Sequence, residues 1–296
     1  MEDLISIVII TYKRPVEILR RAINSAISQD YGNIEVIVVN DCPEDIEGSK
    51  AIDELVDSYH NSKITLIHHL KNKGANAARN TGLYQAKGSY IAFLDDDDEW
   101  YFNKLSKQYN AIKKNKKYGI AYSGFLRVSG ENKTPYYPVN KKSNESCLNK
   151  ILVDNYVGPT SFSLIRMEAI KSVGGFDENI KICQEYELWI RILEKYDAIC
   201  VNDLLGIYYY SEDSTFKDVD KYLNGCNALI EKHEKLYKKN RKLLSNKLLN
   251  MSIYALKKHR FGKALYYKSK ALKSYPFNPN NLAIVMLIGK IFHRYY

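Results

Sequence analysis

Residues 90–98 have the sequence YIAFLDDDD, an apolar run followed at once by four aspartates. A short run of this kind predicts a buried β-strand, and similar runs occur at residues 5–10 (ISIVII), 34–39 (IEVIVV) and 63–68. Helical patterns separate them. This alternation predicts an α/β fold in which helices flank a mostly parallel sheet.

The predicted helices rest on apolar spacing. After Pro15, apolar residues recur at helical intervals from Ile18 to Ile27. Further helices are predicted at residues 50–59, 75–87, 103–115 and 184–195. Further strands are predicted at residues 120–128, 160–166 and 199–210. From about residue 218 onward the pattern is wholly helical.

Polar residues follow three of the predicted strands. They are Thr11 to Arg14 after the first, Asn40 and Asp41 after the second, and Asp95 to Asp98 after the fourth. Ligands of parallel α/β sheets bind beyond the carboxyl ends of the strands. We therefore expect these side chains to converge on one edge of the sheet.

The aspartate run is the strongest chemical signal. Adjacent carboxylates repel one another, so a cation would favour their proximity. On an extended segment Asp95 and Asp97 point to the same side. Such oxygen donors suit Mn²⁺ or Mg²⁺, with substrate phosphates completing the shell. The alternative is an acidic, solvated cap before a helix beginning near Trp100.

Four weaker features accompany it. Lys73 and Arg79, in the small-residue segment 72–82, are candidates to neutralise a diphosphate, although the segment also fits a solvated basic helix start. Asp41 is a candidate acceptor for a base N–H, and Tyr12 a candidate for stacking on a base; each also fits an ordinary turn or packing residue. Glu185 lies in a first helical turn, where the helix dipole favours a carboxylate whatever its function.

Several enzyme classes lose their main support. The chain has no G-x-G-x-x-G after the first strand, no P-loop, no H-E-x-x-H and no nucleophile elbow. A nucleotidyltransferase would also need a glycine-rich loop after the first strand.

Taken in order, these segments resemble the inverting family 2 glycosyltransferases, which have the GT-A fold. The likeness covers roughly residues 4–215 and is carried by residues 7–15, 40–41, 72–82 and 93–100, and by Gly174-Gly175-Phe176-Asp177 followed by Glu185. It implies a glycosyltransferase domain over residues 1–218, with a nucleotide-sugar-binding half (1–100) and an acceptor half (101–218). Residues 219–296 would form a basic helical extension.

The resemblance also implies roles for individual residues. The donor would be a nucleotide-diphosphate-sugar, most often a UDP-sugar, and the acceptor a glycan or lipid-linked sugar in surface polysaccharide biosynthesis. Glu185 matches the general base, and Asp95 and Asp97 match the metal-binding pair, with Asp97 as the direct ligand. The candidate donor-binding residues are Thr11, Tyr12, Arg14, Asp41, Lys73, Asn76, Arg79, Asp95 and Asp96.

This chain departs from the family pattern at three places. Asn40 stands where the family usually has an aspartate. Gln184-Glu185 replaces the usual Glu-Asp pair, which keeps Glu187 and Asp177 as alternative bases. Ser211 stands where many relatives have a histidine near the metal or diphosphate.

The C-terminal part differs in charge from the rest. Residues 221–296 contain 17 Lys and Arg but only two acids, whereas the whole chain carries +10. This suits contact with anionic lipid headgroups, and residues 282–296 are apolar with basic and aromatic flanks, too short to span a bilayer. A solvated bundle or a protein contact is the alternative.

Other functions are less favoured. Nucleic-acid binding by the basic part is not expected, because no known module is present and the aspartates would repel phosphates. A catalytically inactive sugar-nucleotide-binding relative is disfavoured because Asp41, Asp95, Asp97 and Glu185 are all retained. The five cysteines form no C-x-x-C pair, and no signal peptide is recognised, so we expect a cytoplasmic protein that contacts the membrane at most peripherally.

Overall fold

The computed structural model describes residues 2–60, 63–138, 146–210 and 218–280. The first half alternates strands and helices as the sequence predicts. Its elements are β1 (Ile5–Thr11), α1 (Val16–Ile27), β2 (Ile34–Asn40), α2 (Ile46–Ser58), β3 (Ile64–His68), α3 (Ala75–Gln85) and β4 (Tyr90–Asp95).

The elements that follow are less regular. They are β5 (Glu99–Trp100), α4 (Lys104–Ile112), β6 (Tyr118–Ser129), β7 (Asn132–Tyr136), α5 (Cys147–Val153), a 3-10 turn (Thr160–Phe162), β8 (Ser163–Arg166), α6 (Met167–Lys171), α7 (Gln184–Leu193) and β9 (Asp197–Tyr209). Four helices come last: α8 (Val219–Lys232), α9 (Glu234–Lys239), α10 (Arg241–Lys257) and α11 (Phe261–Ser274).

The strands form one sheet with the order β3-β2-β1-β4-β8-β6-β9-β5, and β7 pairs with β6. The pairs among β3, β2, β1 and β4 are parallel, whereas β8 is antiparallel to both of its neighbours. Thr11 pairs with Asn40, and Ile10 pairs with Asp95. The register therefore brings the three polar strand ends to the same edge.

The core explains why these segments form strands and helices. Ile5, Ile7 and Ile9 of β1 are fully buried, as are Leu19 and Ile23 of α1, which belong to the same apolar cluster. Burial of each such side chain stabilises the fold by about 1.5–3 kcal/mol relative to leaving it exposed to water. The mostly parallel α/β fold with a helical C-terminal region is confirmed.

Two local predictions are wrong. Residues 160–162, predicted as strand, form a 3-10 turn, because the Phe162 amide donates to the Pro159 carbonyl (3.2 Å) and the Ser163 hydroxyl to the Thr160 carbonyl (2.9 Å). Trp100, predicted near a helix start, lies instead in β5, and the helix begins at Lys104. The short strand forms because Trp100 pairs with Gly206 of β9.

The chain divides into two compact units. The first comprises Met1–Cys147 and Tyr156–Glu212, and the second comprises Leu148–Asn155 and Asp213–Tyr296. The second unit therefore includes most of α5 from the middle of the chain. The domain boundary at residue 218 stays a prediction.

Within the second unit, side-chain hydrogen bonds join helices to one another. The Ser245 hydroxyl of α10 donates to the Ala271 carbonyl of α11 (3.0 Å), and the Tyr237 hydroxyl of α9 donates to the Leu152 carbonyl of α5 (2.7 Å). Over the residues that the structure describes, no helix is long and apolar enough to cross a membrane. The apolar segment 282–296 lies outside the described residues.

Candidate active site

The four aspartates form a tight turn after β4, closed by a hydrogen bond from the Asp98 amide to the Asp95 carbonyl (3.0 Å). The side chains alternate in burial. Those of Asp95 and Asp97 are each 30% exposed, whereas Asp96 and Asp98 are buried. The two residues predicted to bind a metal are thus the two that face outward.

Asp96 binds residues at the end of β1 and just after it. Its carboxylate accepts from the Thr11 hydroxyl (2.7 Å) and from Nε of Arg14 (3.0 Å), while Nη2 of Arg14 donates to Oδ2 of Asp97 (3.0 Å). Burial raises the pKa of Asp96 to about 6, against the opposing effect of Arg14. Three predicted donor-binding residues, Thr11, Arg14 and Asp96, are therefore in direct contact.

Arg79 of α3 joins the turn to α7. Its Nη2 donates to Oδ1 of Asp95 (2.7 Å) and its Nη1 donates to Oε1 of Gln184 (3.1 Å). Glu185 is the next residue. Burial raises the pKa of its carboxyl group, and the charge of Asp95 raises it further while that of Arg79 lowers it. The predicted base therefore lies in the electrostatic reach of the predicted metal ligand.

Two asparagines of α3, one turn apart, hold the loop that precedes α7. Asn80 donates to the Phe176 carbonyl (2.9 Å) and accepts from the Phe176 amide (2.8 Å). Asn76 donates to the carbonyls of Asp177 (2.7 Å) and Ile180 (3.0 Å), and its buried Oδ1 has no hydrogen-bond partner among the described residues. Its donor-binding role stays a prediction, and its amide group anchors the loop.

Asp41 is buried and binds the backbone that immediately precedes α3. Its carboxylate accepts from the amides of Lys73 (2.8 Å) and Gly74 (2.7 Å), and its Oδ1 lies 2.7 Å from Nδ1 of His69. Contact of Asp41 with a nucleobase stays a prediction. The side chain of Lys73 is exposed.

Tyr12 and Asn40 lie near Asp41 at the ends of β1 and β2. Tyr12 is also exposed, and its hydroxyl donates to Glu44 (3.3 Å). Asn40 is buried and accepts from the Cys42 amide (3.0 Å) while donating to Ser49 (2.9 Å). At the position where the family pattern has an aspartate, the amide group of Asn40 therefore both accepts and donates a hydrogen bond.

The two alternative bases are engaged elsewhere. Glu187 is fully buried and paired with Arg191, whose Nε and Nη2 donate to its carboxylate at 2.6–2.9 Å. Asp177 accepts from the amide and side chain of Asn179 through Oδ1. The role of Glu185 as general base stays a prediction.

Two residues near the turn were missed by the sequence reasoning. Arg21 of α1 donates to the Asp97 carbonyl (2.6 Å) and lies 3.8 Å from the ring centroid of Tyr209. Burial and the charges of Asp98, Asp95, Asp97 and Glu185 raise the pKa of Tyr208. Tyr208 could have been found because it lies near the end of the predicted strand 199–210, whereas nothing in the sequence singles out Arg21.

The donor set is compatible with a hard divalent cation. Among the described residues no group of three or more His, Cys, Asp or Glu side chains is arranged to hold a metal. Asp95 and Asp97 are nonetheless partly exposed oxygen ligands, and burial together with the charge of Asp95 raises the pKa of Asp97. Mg²⁺ is commonly held by one or two carboxylates plus substrate phosphates. Ser211, where relatives have a histidine, lies outside the described residues.

The fold is shared with other solved structures. Residues 1–349 of TarS from S. aureus, in complex with UDP-GlcNAc, align with a TM-score of 0.66 and 16% identity, covering 91% of this chain and 81% of that one. The mannosyltransferase PcManGT from Pyrobaculum calidifontis, in complex with GDP-Man and Mn²⁺, aligns with a TM-score of 0.56 and 15% identity, covering 100% and 81%. At these identities the likeness shows the fold alone.

Sequence relatives are closer. WfgD from Escherichia coli, a UDP-Glc:α-D-GlcNAc-diphosphoundecaprenol β-1,3-glucosyltransferase, is 27% identical over 88% of this chain and 97% of its own length. WfaP from Escherichia coli, of the same described activity, is 31% identical over 70% and 77%. An uncharacterised glycosyltransferase from Rickettsia bellii is 34% identical over 76% of this chain, which spans only 32% of that relative.

The model of the family "Glycosyl transferase family 2" matches residues 6–174, more than half of the chain. The matched range contains β1 from its second residue, β2 to β4, the aspartate turn and Arg79. The chain belongs to glycosyl transferase family 2.

Proposed function

We propose that this chain transfers a hexosyl or N-acetylhexosaminyl group from a nucleotide-diphosphate-sugar, a UDP-sugar by preference, to a hydroxyl group of a glycan or lipid-linked acceptor. The transfer inverts the anomeric centre and depends on a divalent cation. The observation that carries the proposal is the bridge from Asp95 through Arg79 to Gln184, which holds the outward carboxylates beside the helix that bears Glu185.

Glu185 acts as the general base. A sugar hydroxyl has a pKa far above 7, so a carboxylate must take its proton as the oxygen attacks the anomeric carbon. Burial raises the pKa of Glu185, which strengthens its carboxylate as a base. Attack on the face opposite the leaving diphosphate inverts the centre in one displacement, through an oxocarbenium-like state.

The other end of the site holds the donor. Thr11 and Arg14 fix the aspartate turn against β1, so Asp95 and Asp97 present their carboxylates from a rigid support. Lys73 and Arg79 supply positive charge for the diphosphate, and Tyr12 and Asp41 lie where the base is expected. Mn²⁺ or Mg²⁺, held by Asp95 and Asp97, would supply charge stabilisation for the departing diphosphate.

The acceptor class is supported by the relatives. WfgD and WfaP are described as acting on GlcNAc-diphosphoundecaprenol, and WcaA from Escherichia coli, 31% identical over 65% of this chain, is described as a putative colanic acid biosynthesis glycosyl transferase. We carry over to this chain a lipid-linked sugar acceptor and a place in surface polysaccharide biosynthesis.

The basic helices support a peripheral contact with the lipid surface that carries such an acceptor. Phe261 and Leu265, one turn apart on α11, are exposed, and Lys268 and Lys273 lie further along the same helix. Exposed apolar side chains with flanking lysines favour an anionic bilayer surface. Cosedimentation with phosphatidylglycerol vesicles but not with phosphatidylcholine vesicles is expected, and equal absence from both pellets would contradict the contact.

A donor panel tests the proposed reaction. Purified chain is incubated with UDP-, GDP- and dTDP-sugars in Mn²⁺, in Mg²⁺ or in EDTA, and nucleotide release is measured with and without acceptor. We expect one donor to be turned over only with metal, and Asp97→Ala to abolish that turnover. Asp57→Ala, which changes an exposed aspartate of α2, is the matched control. If no donor binds or turns over under any condition, the proposed enzyme activity is wrong.

A further inference from the structure

A cleft of about 350 Å³ lies within the second unit, between the ends of three helices. It is lined by the last turns of α8 and α11 and by the first turns of α10. Small-molecule sites in proteins usually occupy roughly 300–1,000 Å³, so the cleft is large enough to hold a ligand. None of its lining residues belongs to the candidate active site.

Side-chain hydrogen bonds hold the three helices around this cleft. The Ser274 hydroxyl at the end of α11 donates to the Arg241 carbonyl at the start of α10 (3.3 Å). The side-chain amide of Asn227 on α8 donates to the Tyr267 hydroxyl of α11 (2.8 Å). The walls are therefore fixed by the fold itself, which lowers the entropic cost of binding a ligand between them.

Three cationic side chains, those of Arg241, Lys270 and Lys273, line the cleft and are exposed. Glu231 is the one acidic residue of the described lining, so three positive charges against one negative leave a net charge of +2. Over the residues that the structure describes, none of the three cations forms an ion pair. Like charges around one cavity repel each other, and a bound anion relieves that repulsion.

Other basic residues of the same unit are neutralised. Lys238 is paired with Glu234 (2.8 Å), and Lys263 is paired with Asp220. In the cleft, the amine of Lys270 lies 4.7 Å from the ring centroid of Tyr266, a contact that orders the lysine without removing its charge. The cations of the cleft therefore remain available to an anionic ligand.

The deeper part of the cleft is apolar. Leu248 is buried, and Ile230 and Leu244 are half-buried. A phosphate group suits the cationic rim, because a guanidinium binds two phosphate oxygens at once, and a hydrocarbon chain suits the apolar floor. No aromatic side chain is among the described lining residues, whereas single-stranded nucleic acids are held by stacking on aromatic rings. The lining therefore favours an amphiphile over a nucleic acid.

We propose that this cleft binds a phosphate group that carries a hydrocarbon chain. The three cations bind the phosphate, and the three apolar side chains cover the first part of the chain. Membrane phospholipids and prenyl-linked phosphates share this chemistry. The proposal goes beyond the transfer reaction, since it gives the second unit a ligand site of its own. It also differs from the contact of Phe261 and Leu265 with a lipid surface, because it requires no bilayer.

Calorimetric titration of the full chain tests the site without donor, metal or turnover. The probes are hexyl phosphate, inorganic phosphate, which lacks the chain, and hexanol, which lacks the charge. We expect hexyl phosphate to bind at least tenfold more tightly than either, because burial of about two methylene groups is already worth a factor of about ten. Equal affinity for hexyl phosphate and inorganic phosphate would overturn the amphiphile site.

Paired variants locate the binding. Lys270→Gln combined with Lys273→Gln should weaken hexyl phosphate binding roughly tenfold or more, since two charge-assisted contacts are lost. The matched control combines Lys235→Gln and Lys258→Gln, which removes two charges from exposed positions outside the cleft and should leave the affinity unchanged. Circular dichroism verifies that both are folded. Equal affinities of the two variants would show that the cleft is not the site.

Two further ligands distinguish the sources of the phosphate. Dihexanoyl phosphatidylglycerol represents a membrane phospholipid, and geranyl diphosphate represents a prenyl-linked phosphate. At least one should displace hexyl phosphate, and the one that does so at the lower concentration identifies the source. Displacement by neither, or only by a single-stranded oligonucleotide, would overturn the proposal. The donor panel tests a different activity, so failure of either experiment leaves the result of the other intact.

Discussion

The guanidinium of Arg79 lies 2.7 Å from the carboxylate of Asp95, although the two residues belong to different elements, α3 and the end of β4. The same guanidinium reaches Gln184 at the start of α7. One side chain therefore sets the distance between the carboxylates after β4 and the helix that carries Glu185. A planar group with several donors is needed for such a bridge.

Replacement of Arg79 by lysine should uncouple these elements. A single ammonium keeps the charge but cannot hold Asp95 and Gln184 together in the same geometry. We expect kcat to fall roughly tenfold to a hundredfold, because small misplacements of reacting groups have effects of this size. Steady-state kinetics of Arg79→Lys and of the surface control Arg20→Lys measure it, and an unchanged kcat in Arg79→Lys would refute the bridge.

The glycine pair before α7 offers a matched stability test. Gly174 and Gly175 both have positive φ, at 78° and 76°, but only Gly175 is crowded: a Cβ there would lie 2.7 Å from Oδ1 of Asn80, whereas none of the neighbours of Gly174 comes within 4 Å. Gly174→Ala should lower the free energy of unfolding by about 1 kcal/mol through strain alone. Gly175→Ala should lower it by about 2–4 kcal/mol, since it also displaces Asn80.

Urea unfolding of both glycine variants measures the difference. Because Asn80 anchors the backbone of Phe176, Gly175→Ala should also reduce kcat more than Gly174→Ala does. Equal losses of stability in the two variants would show that Asn80 does not pack against this turn as described.

The pH dependence of transfer follows from the environment of Glu185. A general base works in its deprotonated form, and burial raises the pKa of Glu185 above its ordinary value of 4.5. The rate should therefore fall as pH is lowered through that raised pKa, so the acidic limb of the kcat profile should lie above pH 4.5. A profile flat down to that pH would exclude Glu185 as the base.

Much of the fold could be predicted from the sequence, because buried strands of a parallel sheet are short apolar runs such as residues 5–10. The meeting of the polar strand ends at one edge could also be predicted, because the carboxyl ends of parallel strands share an edge. The register accordingly pairs Thr11 with Asn40 and Ile10 with Asp95. The elements that were missed have no such pattern. β7 is exposed along its whole length, and the 3-10 turn at Thr160 depends on local hydrogen bonds to Pro159 and from Ser163.

The sequence indicated which residues belong to the candidate site but not which side chains contact one another. Family 2 membership and the GT-A fold are confirmed, while the roles of single residues stay predictions. The diphosphate contact of Arg79 stays a prediction, and its pairing with Asp95 and Gln184 was not indicated by the sequence. The contact of Arg21 with Asp97 and Tyr209 joins three distant segments, so no local pattern could indicate it.

Transfer by Glu185→Gln tests the central claim most directly. Glutamine keeps the size of the side chain but cannot accept the proton, so donor binding should be retained while the transfer rate falls roughly a hundredfold or more. Glu194→Gln, an exposed glutamate at the end of the same helix, is the control and should match the wild type. A folded Glu185→Gln variant that binds the nucleotide-sugar and no longer transfers it supports the account, and one that transfers at the wild-type rate contradicts it.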